Sequence, residues 1–154
     1  MRQPTKLSQA GRGLSIGPSV QIDRTARIEV ARGARVILGR GVVVGPDARI
    51  SAHSGTVKVG AGARLCERAV IVAHTGVEIG EGAVIGDWAA IDDATPTFAD
   101  VERPINAQPL LASLVRVGAR AKIGMHAVLG AGTSIPAGAT VEPYAVVRDA
   151  TSRS

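Results

Sequence analysis

VGARAK IGMHAV LGAGTS IPAGAT VEPYAV, residues 117–146, is one six-residue phrase written five times: an aliphatic residue, commonly Gly, two variable residues, a small residue and a variable one. Traced outward, thirteen such units begin at Ile16, Ile22, Leu38, Val44, Val59, Leu65, Ile79, Ile85, Val117, Ile123, Leu129, Ile135 and Val141. The fifth place is Ala in ten of them and Val or Thr in the rest, and the second place is Gly in nine. A period of six matches neither the 3.6 of an amphipathic helix nor the 2 of a half-buried strand. A triangular coil of three units satisfies it. The aliphatic side chain fills the interior of each flat face, the small residue fits inside the corner, and Gly eases the turn. Successive coils then stack as parallel strands about 4.8 Å apart. The expected fold class is all-β, a parallel β-helix shaped as a triangular solenoid with one long protruding loop.

The interruptions fall at one place in each coil. Extra residues follow Ile50 (SAHSGTVK), Ile71 (VAHTGVE) and Ile91, with IEVARGARVI after Ile28 another instance. After Ile91 the insertion becomes a long loop, DDATPTFADVERPINAQPLLASLVR. One corner of the prism therefore bulges repeatedly and then throws out an arm, and a long loop at a fixed corner points to function. The chain divides into an N-terminal extension (1–13), a β-helix domain (14–149) with its loop at 92–114, and a tail (150–154).

Composition narrows the possibilities. Of the 154 residues, 45% are hydrophobic but only 2% aromatic, so the core must be built from Val, Ile, Leu and Ala. The net charge of +5 arises from scattered basic residues without a tract. With one Trp, one Tyr and one Phe there are too few aromatics for a single-strand stacking platform, so no nucleic-acid partner is expected. One Cys excludes an intrachain disulfide and any multi-cysteine metal site. The N-terminus lacks a signal-peptide apolar run and no stretch is long enough to span a bilayer, so a cytoplasmic protein without membrane association is expected.

The repeat together with the loop resembles the hexapeptide acyltransferases, closest to the maltose, galactoside and lipopolysaccharide O-acetyltransferase branch. The match covers about Ile16 to Val147, and in the loop it rests on Asp93, Phe98, Pro104, Ile105, Gln108 and Leu110. The resemblance implies a left-handed helix, a homotrimer with sites in the clefts between prisms, and acyl-CoA, acetyl-CoA for instance, as donor to a hydroxyl or amine of a sugar or other small acceptor. It implies no metal. It places the donor along the C-terminal coils, where Lys122, Gly130, Ala131 and Arg148 lie, and the acceptor near Phe98 of the loop.

The family's catalytic base is the first His of an Asp-His motif, and here that position is Ala94, with Pro96 at the second His. Ala cannot accept a proton. His74 is the third residue after Ile71, His53 the third after Ile50 and Ala94 the third after Ile91, so all three are expected at the same outward corner. Stacking would put His74 about 5 Å from the missing imidazole. A neutral His74 can then serve as general base, with Asp93 orienting it or holding the loop. The alternative is that His53 and His74 form a corner ladder without chemistry.

Other residues carry less. Trp88 points outward and either lines an intersubunit cleft or packs beneath the loop; Cys66 replaces a Gly and reads as a small filler; His126 falls on a different face from His74. Two further functions stay open. A γ-type carbonic anhydrase needs three His on one zinc, and the paired His spacing on a coil is missing. A trimeric scaffold that kept the fold and lost the base would also leave Ala94 and Pro96 where they are.

Overall fold

The computed structural model describes Leu7–Ser8, residues 13–96 and residues 110–148. After β1 (Leu7–Ser8) the chain winds through six coils. Coil 1 is β2 (Leu14–Ile16), β3 (Gln21–Ile22) and β4 (Arg27–Val30); coil 2 is β5 (Arg35–Leu38), β6 (Val43–Val44) and β7 (Arg49–Ala52). Coil 3 is β8 (Thr56–Val59), β9 (Arg64–Leu65) and β10 (Val70–Ala73); coil 4 is β11 (Gly76–Ile79), β12 (Val84–Ile85) and β13 (Ala90–Asp92). An arm follows, rooted in β14 (Ala94–Pro96) and β15 (Leu110–Ala112). Coil 5 is β16 (Val115–Val117), β17 (Lys122–Ile123) and β18 (Val128–Leu129), and coil 6 is β19 (Ser134–Ile135), β20 (Thr140–Val141) and β21 (Val146–Val147).

First strands of successive coils pair as sheet B, second strands as sheet C and third strands, joined by β1, as sheet A. All three sheets are parallel, and their registers are those the six-residue period demands. Ile28, Ile50, Ile71, Ile91, Leu129 and Val147 form one ladder in sheet A. Ile22, Val44, Leu65, Ile85, Ile123 and Val141 form another in sheet C. These side chains fill the prism, and the largest that are fully buried are Ile, Leu and Val. The fifth-place alanines Ala26, Ala48, Ala63, Ala69, Ala83, Ala89, Ala121 and Ala127 are buried at the corners, as the tight turns require. β1, which lies in the segment 1–13 that the sequence marks as an extension, pairs with β4 of coil 1.

The long insertion does not disturb this stacking. β13 pairs with β18, β11 with β16 and β12 with β17, so coils 4 and 5 close on each other as if nothing lay between them. The arm leaves from the edge between sheets A and B as an antiparallel ribbon, with Ala94 opposite Ala112. Among the described residues no helix is long and apolar enough to cross a membrane.

Candidate active site

The edge between sheets A and B carries the bulges, and on it the structure brings His53, His74 and Asp93 together. His53 and His74 occupy the turns after coils 2 and 3, and their rings stack with centroids 4.7 Å apart and planes 17° from parallel. The expected corner ladder of histidines is thus present. It ends at His74, because Ala94 opens β14 and leaves the edge with the arm.

Asp93 explains how the ladder can end there. After coil 2, the N–H groups of His53 and Ser54 both reach the carbonyl of Ala73 in the coil above. After coil 3 the equivalent turn above is missing, since the chain departs into the arm. The Asp93 side chain takes its place: Oδ1 accepts the backbone N–H of His74 at 2.7 Å, and Oδ2 accepts those of Thr75 at 2.7 Å and Gly76 at 2.6 Å. Asp93 is fully buried, and a carboxylate in that position needs such donors. Its own carbonyl accepts the N–H of Ser113 at 2.9 Å, which fastens the returning strand of the arm to the departing one.

The same carboxylate faces the imidazole. Nδ1 of His74 lies 3.6 Å from Asp93 Oδ1, is buried, and has no hydrogen-bond partner among the described residues. The distance is longer than a hydrogen bond, so Asp93 first holds the backbone under the imidazole and only secondarily faces the ring. His74, Asp92 and Asp93 offer ligand atoms within 4.8 Å of one another. Both Asp93 oxygens are already engaged by backbone N–H groups, so a cation there would compete with the bonds that shape the turn. His126 lies on the edge between sheets C and A, so the three His of one chain do not converge.

Higher on the same edge, Ser113 accepts the N–H of Gly132 at 3.2 Å, which ties the arm root to the turn after coil 5. That turn holds Gly130 and Ala131. Gly130 donates to Val147 at 2.8 Å, and a Cβ placed on it would lie 3.9 Å from Cγ of Arg148. His74, Asp93, Gly130, Ala131 and Arg148 therefore follow one another along one edge. Lys122 does not join them: it is exposed on the outer face of sheet C, paired with Val84 and Thr140.

Two further expectations have different outcomes. Phe98 lies outside the described residues. Trp88 sits on the edge between sheets C and A, across the width of sheet A from His74 and from the arm root. There it stacks on His126 at 5.6 Å and 9°, and His126 stacks on Tyr144 at 4.9 Å and 5°, with the Arg68 guanidinium 5.0 Å over the indole. The fourth place of every third unit, read down the chain as Asp47, Arg68, Trp88, His126 and Tyr144, is the signal from which this column could have been found. Cys66 is half-buried; burial pushes its thiol pKa up, the Asp87 charge adds to the effect and Arg64 opposes it.

Against known proteins, no family model matches the chain. It is 32% identical over 135 residues to a Mycobacterium tuberculosis protein named probable acetyltransferase Rv3034c, an alignment covering 88% of the chain and 43% of that relative. The chain thus spans less than half the length of the relative. Among solved structures it is similar to mutants of AntD, an N-acyltransferase from Bacillus cereus. A serine-to-threonine mutant in complex with dTDP and coenzyme A superposes with a TM-score of 0.72 at 17% identity, covering 96% of this chain and 84% of that one. A serine-to-cysteine mutant in complex with dTDP-4-amino-4,6-dideoxyglucose and coenzyme A gives 0.71 at 17%, covering 90% and 77%. The chain is a β-solenoid wound from six-residue repeats. Its fold is the left-handed parallel β-helix that the resemblance implied.

Proposed function

We propose that this chain is an acyl-CoA-dependent acyltransferase, or the acyl-transfer domain of one, with His74 as general base. The observation that carries the reading is the single edge on which His74, Asp93, Gly130, Ala131 and Arg148 lie in order. From the turn after coil 3 to the turn after coil 6 is about 15 Å at the usual strand spacing, so an extended donor can run from Arg148 toward the imidazole. Arg148 suits a phosphate oxyanion, and Lys122 would serve only a phosphate that reaches sheet C. The 32% identity to a named acetyltransferase and the coenzyme A bound by AntD support the donor class.

In this reading the acceptor is a hydroxyl or amine of a sugar or similar small molecule. Its oxygen or nitrogen attacks the thioester carbonyl carbon while its proton passes to Nε2 of His74, since Nδ1 is buried against Asp93. Collapse of the tetrahedral adduct breaks the carbon–sulfur bond, and the leaving thiolate takes the proton from His74, giving acylated acceptor and free CoA. That AntD binds a nucleotide-linked amino sugar favours an acceptor of that general class. The sites would lie in clefts between the prisms of a homotrimer, with Phe98 of the arm and Trp88 of a neighbour as candidate acceptor contacts.

The test is release of CoA thiol from acetyl-CoA with amino-sugar and sugar acceptors. His74→Ala should lower turnover by roughly 10² to 10⁴, the range for a lost general base, with CoA binding by calorimetry little changed. Full activity in that variant removes His74 from the chemistry. A trimeric scaffold without activity is the competing reading, and the specific observation in its favour is that Ala94 stands where the resemblance puts the base. Light scattering at micromolar concentration checks the trimer in either case, and a monomer would overturn it.

A further inference from the structure

The turns on the edge between sheets A and B shorten by one residue per coil. Four residues, 31–34, separate β4 from β5; three, 53–55, separate β7 from β8; two, 74–75, separate β10 from β11. His74 stands in the tightest of them, and its main chain is clamped from both sides. From above, Asp93 accepts the N–H groups of residues 74–76. From below, the N–H groups of His53 and Ser54 reach the carbonyl of Ala73 at 2.9 and 3.4 Å, and the Ser54 hydroxyl donates to the carbonyl of His74. A clamped main chain leaves the imidazole two rotations, χ1 and χ2. A histidine base is ordinarily fixed in those by a hydrogen bond to its second nitrogen. Here Nδ1 has no partner among the described residues and lies 3.6 Å from Asp93 Oδ1, beyond hydrogen-bond length. The plane of this ring must be set by something else, and the group against its face is His53.

We infer, resting on the proposed function only for the task given to Nε2, that His53 is the positioning residue of the base: its ring sets the plane of His74 and so the direction of Nε2. The centroid distance of 4.7 Å and the 17° between planes are those of a stacked pair. Turning His74 about its Cβ–Cγ bond would drive one edge of the ring into His53, and turning it about χ1 would lift it off the stack. Both movements would also swing Nε2 away from a fixed acceptor. The ladder ends at His74, since Ala94 opens β14, so the ring is supported from one side. The contact is between faces, so the arrangement requires a flat ring at position 53 and not an imidazole nitrogen. His53 itself is exposed, and the prism holds the turn through its backbone N–H.

The experiment compares the full chain with His53→Ala, His53→Phe and His74→Ala. Position 53 is exposed and keeps its backbone N–H in each variant, so the melting transition should stay where it is. With the His74 signals assigned by their loss in His74→Ala, NMR of the wild type should show Hα–Hβ couplings of one staggered rotamer and ring protons displaced upfield by the ring below. In His53→Ala the couplings should average and the displacement vanish; in His53→Phe both should return. CoA release should follow the ring. In His53→Ala kcat should fall roughly 10- to 100-fold, as for a reacting group misplaced by about 1 Å, with KM for acetyl-CoA unchanged, and His53→Phe should recover most of it. Averaged couplings in the wild type, or His74 couplings that do not change in His53→Ala, overturn the role of His53. So does His53→Phe if it is as slow as His53→Ala, because a nitrogen and not the ring plane would then matter. A wild type that releases no CoA, or full activity in His74→Ala, overturns the proposed function instead, and the couplings then still decide whether His53 holds the ring.

Discussion

Asp93 holds its Oδ1 2.7 Å from the backbone nitrogen of His74 and 3.6 Å from Nδ1 of the same residue. One carboxylate thus fixes the main chain that carries the imidazole and faces the ring without a hydrogen bond to it. Asp93→Ala should leave three N–H groups of a buried turn without acceptors and cost about 3 kcal/mol or more of unfolding free energy, read from the denaturant midpoint at constant slope. Asp93→Asn keeps one oxygen but sets an amide against a backbone N–H, so its loss should be intermediate. Wild-type stability in Asp93→Ala would show that the turn finds other acceptors.

Ala94→His adds the imidazole that the resemblance expects, one residue beyond Asp93. If the cleft is intact, CoA release should rise in this variant, or appear in a protein inert without it. No gain over wild type, with CoA still bound, would show that β14 carries position 94 away from the donor.

Gly55 closes the turn beneath His74 with φ at +77°, and a Cβ on it would collide with the carbonyl of Thr75. Gly55→Ala should therefore destabilise the chain by about 2 kcal/mol or more, combining backbone strain with displacement of the next turn. Because that turn carries His74, activity should fall even where the protein stays folded. Thermal melting and CoA release measured on one preparation check both parts.

Cys66 should alkylate slowly. Its raised pKa means less thiolate than a free cysteine at pH 8, so the rate with iodoacetamide should trail that of a model thiol and catch up only at higher pH. The sign for stability follows: the folded state holds the thiol proton more tightly than the unfolded chain, so folding loses stability as pH rises above the usual thiol range. A rate equal to that of the model thiol at pH 8 would contradict the burial.

The prism was readable in the sequence because each unit states its own place. Ile85 and Ile123 fall one coil apart in sheet C as the count of six requires, and the insertion after Ile91 marks the arm. The role of Asp93 was not readable in the same way. Its partners are backbone groups at positions 74–76, and main-chain donors leave no trace in residue identity. The Trp88, His126 and Tyr144 column lay between these cases. Its register was present in the fourth place of the units, but parallel rings become evident only when the coils are stacked.

The arm enters and leaves the prism through Asp93 and Ser113, joined by one 2.9 Å hydrogen bond, while coils 4 and 5 pair directly beneath it. That junction works as a socket. Closing a longer insertion across a fixed gap costs only with the logarithm of its length, so segments of very different size can be exchanged there with little penalty to the solenoid. A lineage can therefore exchange the arm while the frame that stacks the coils is inherited unchanged.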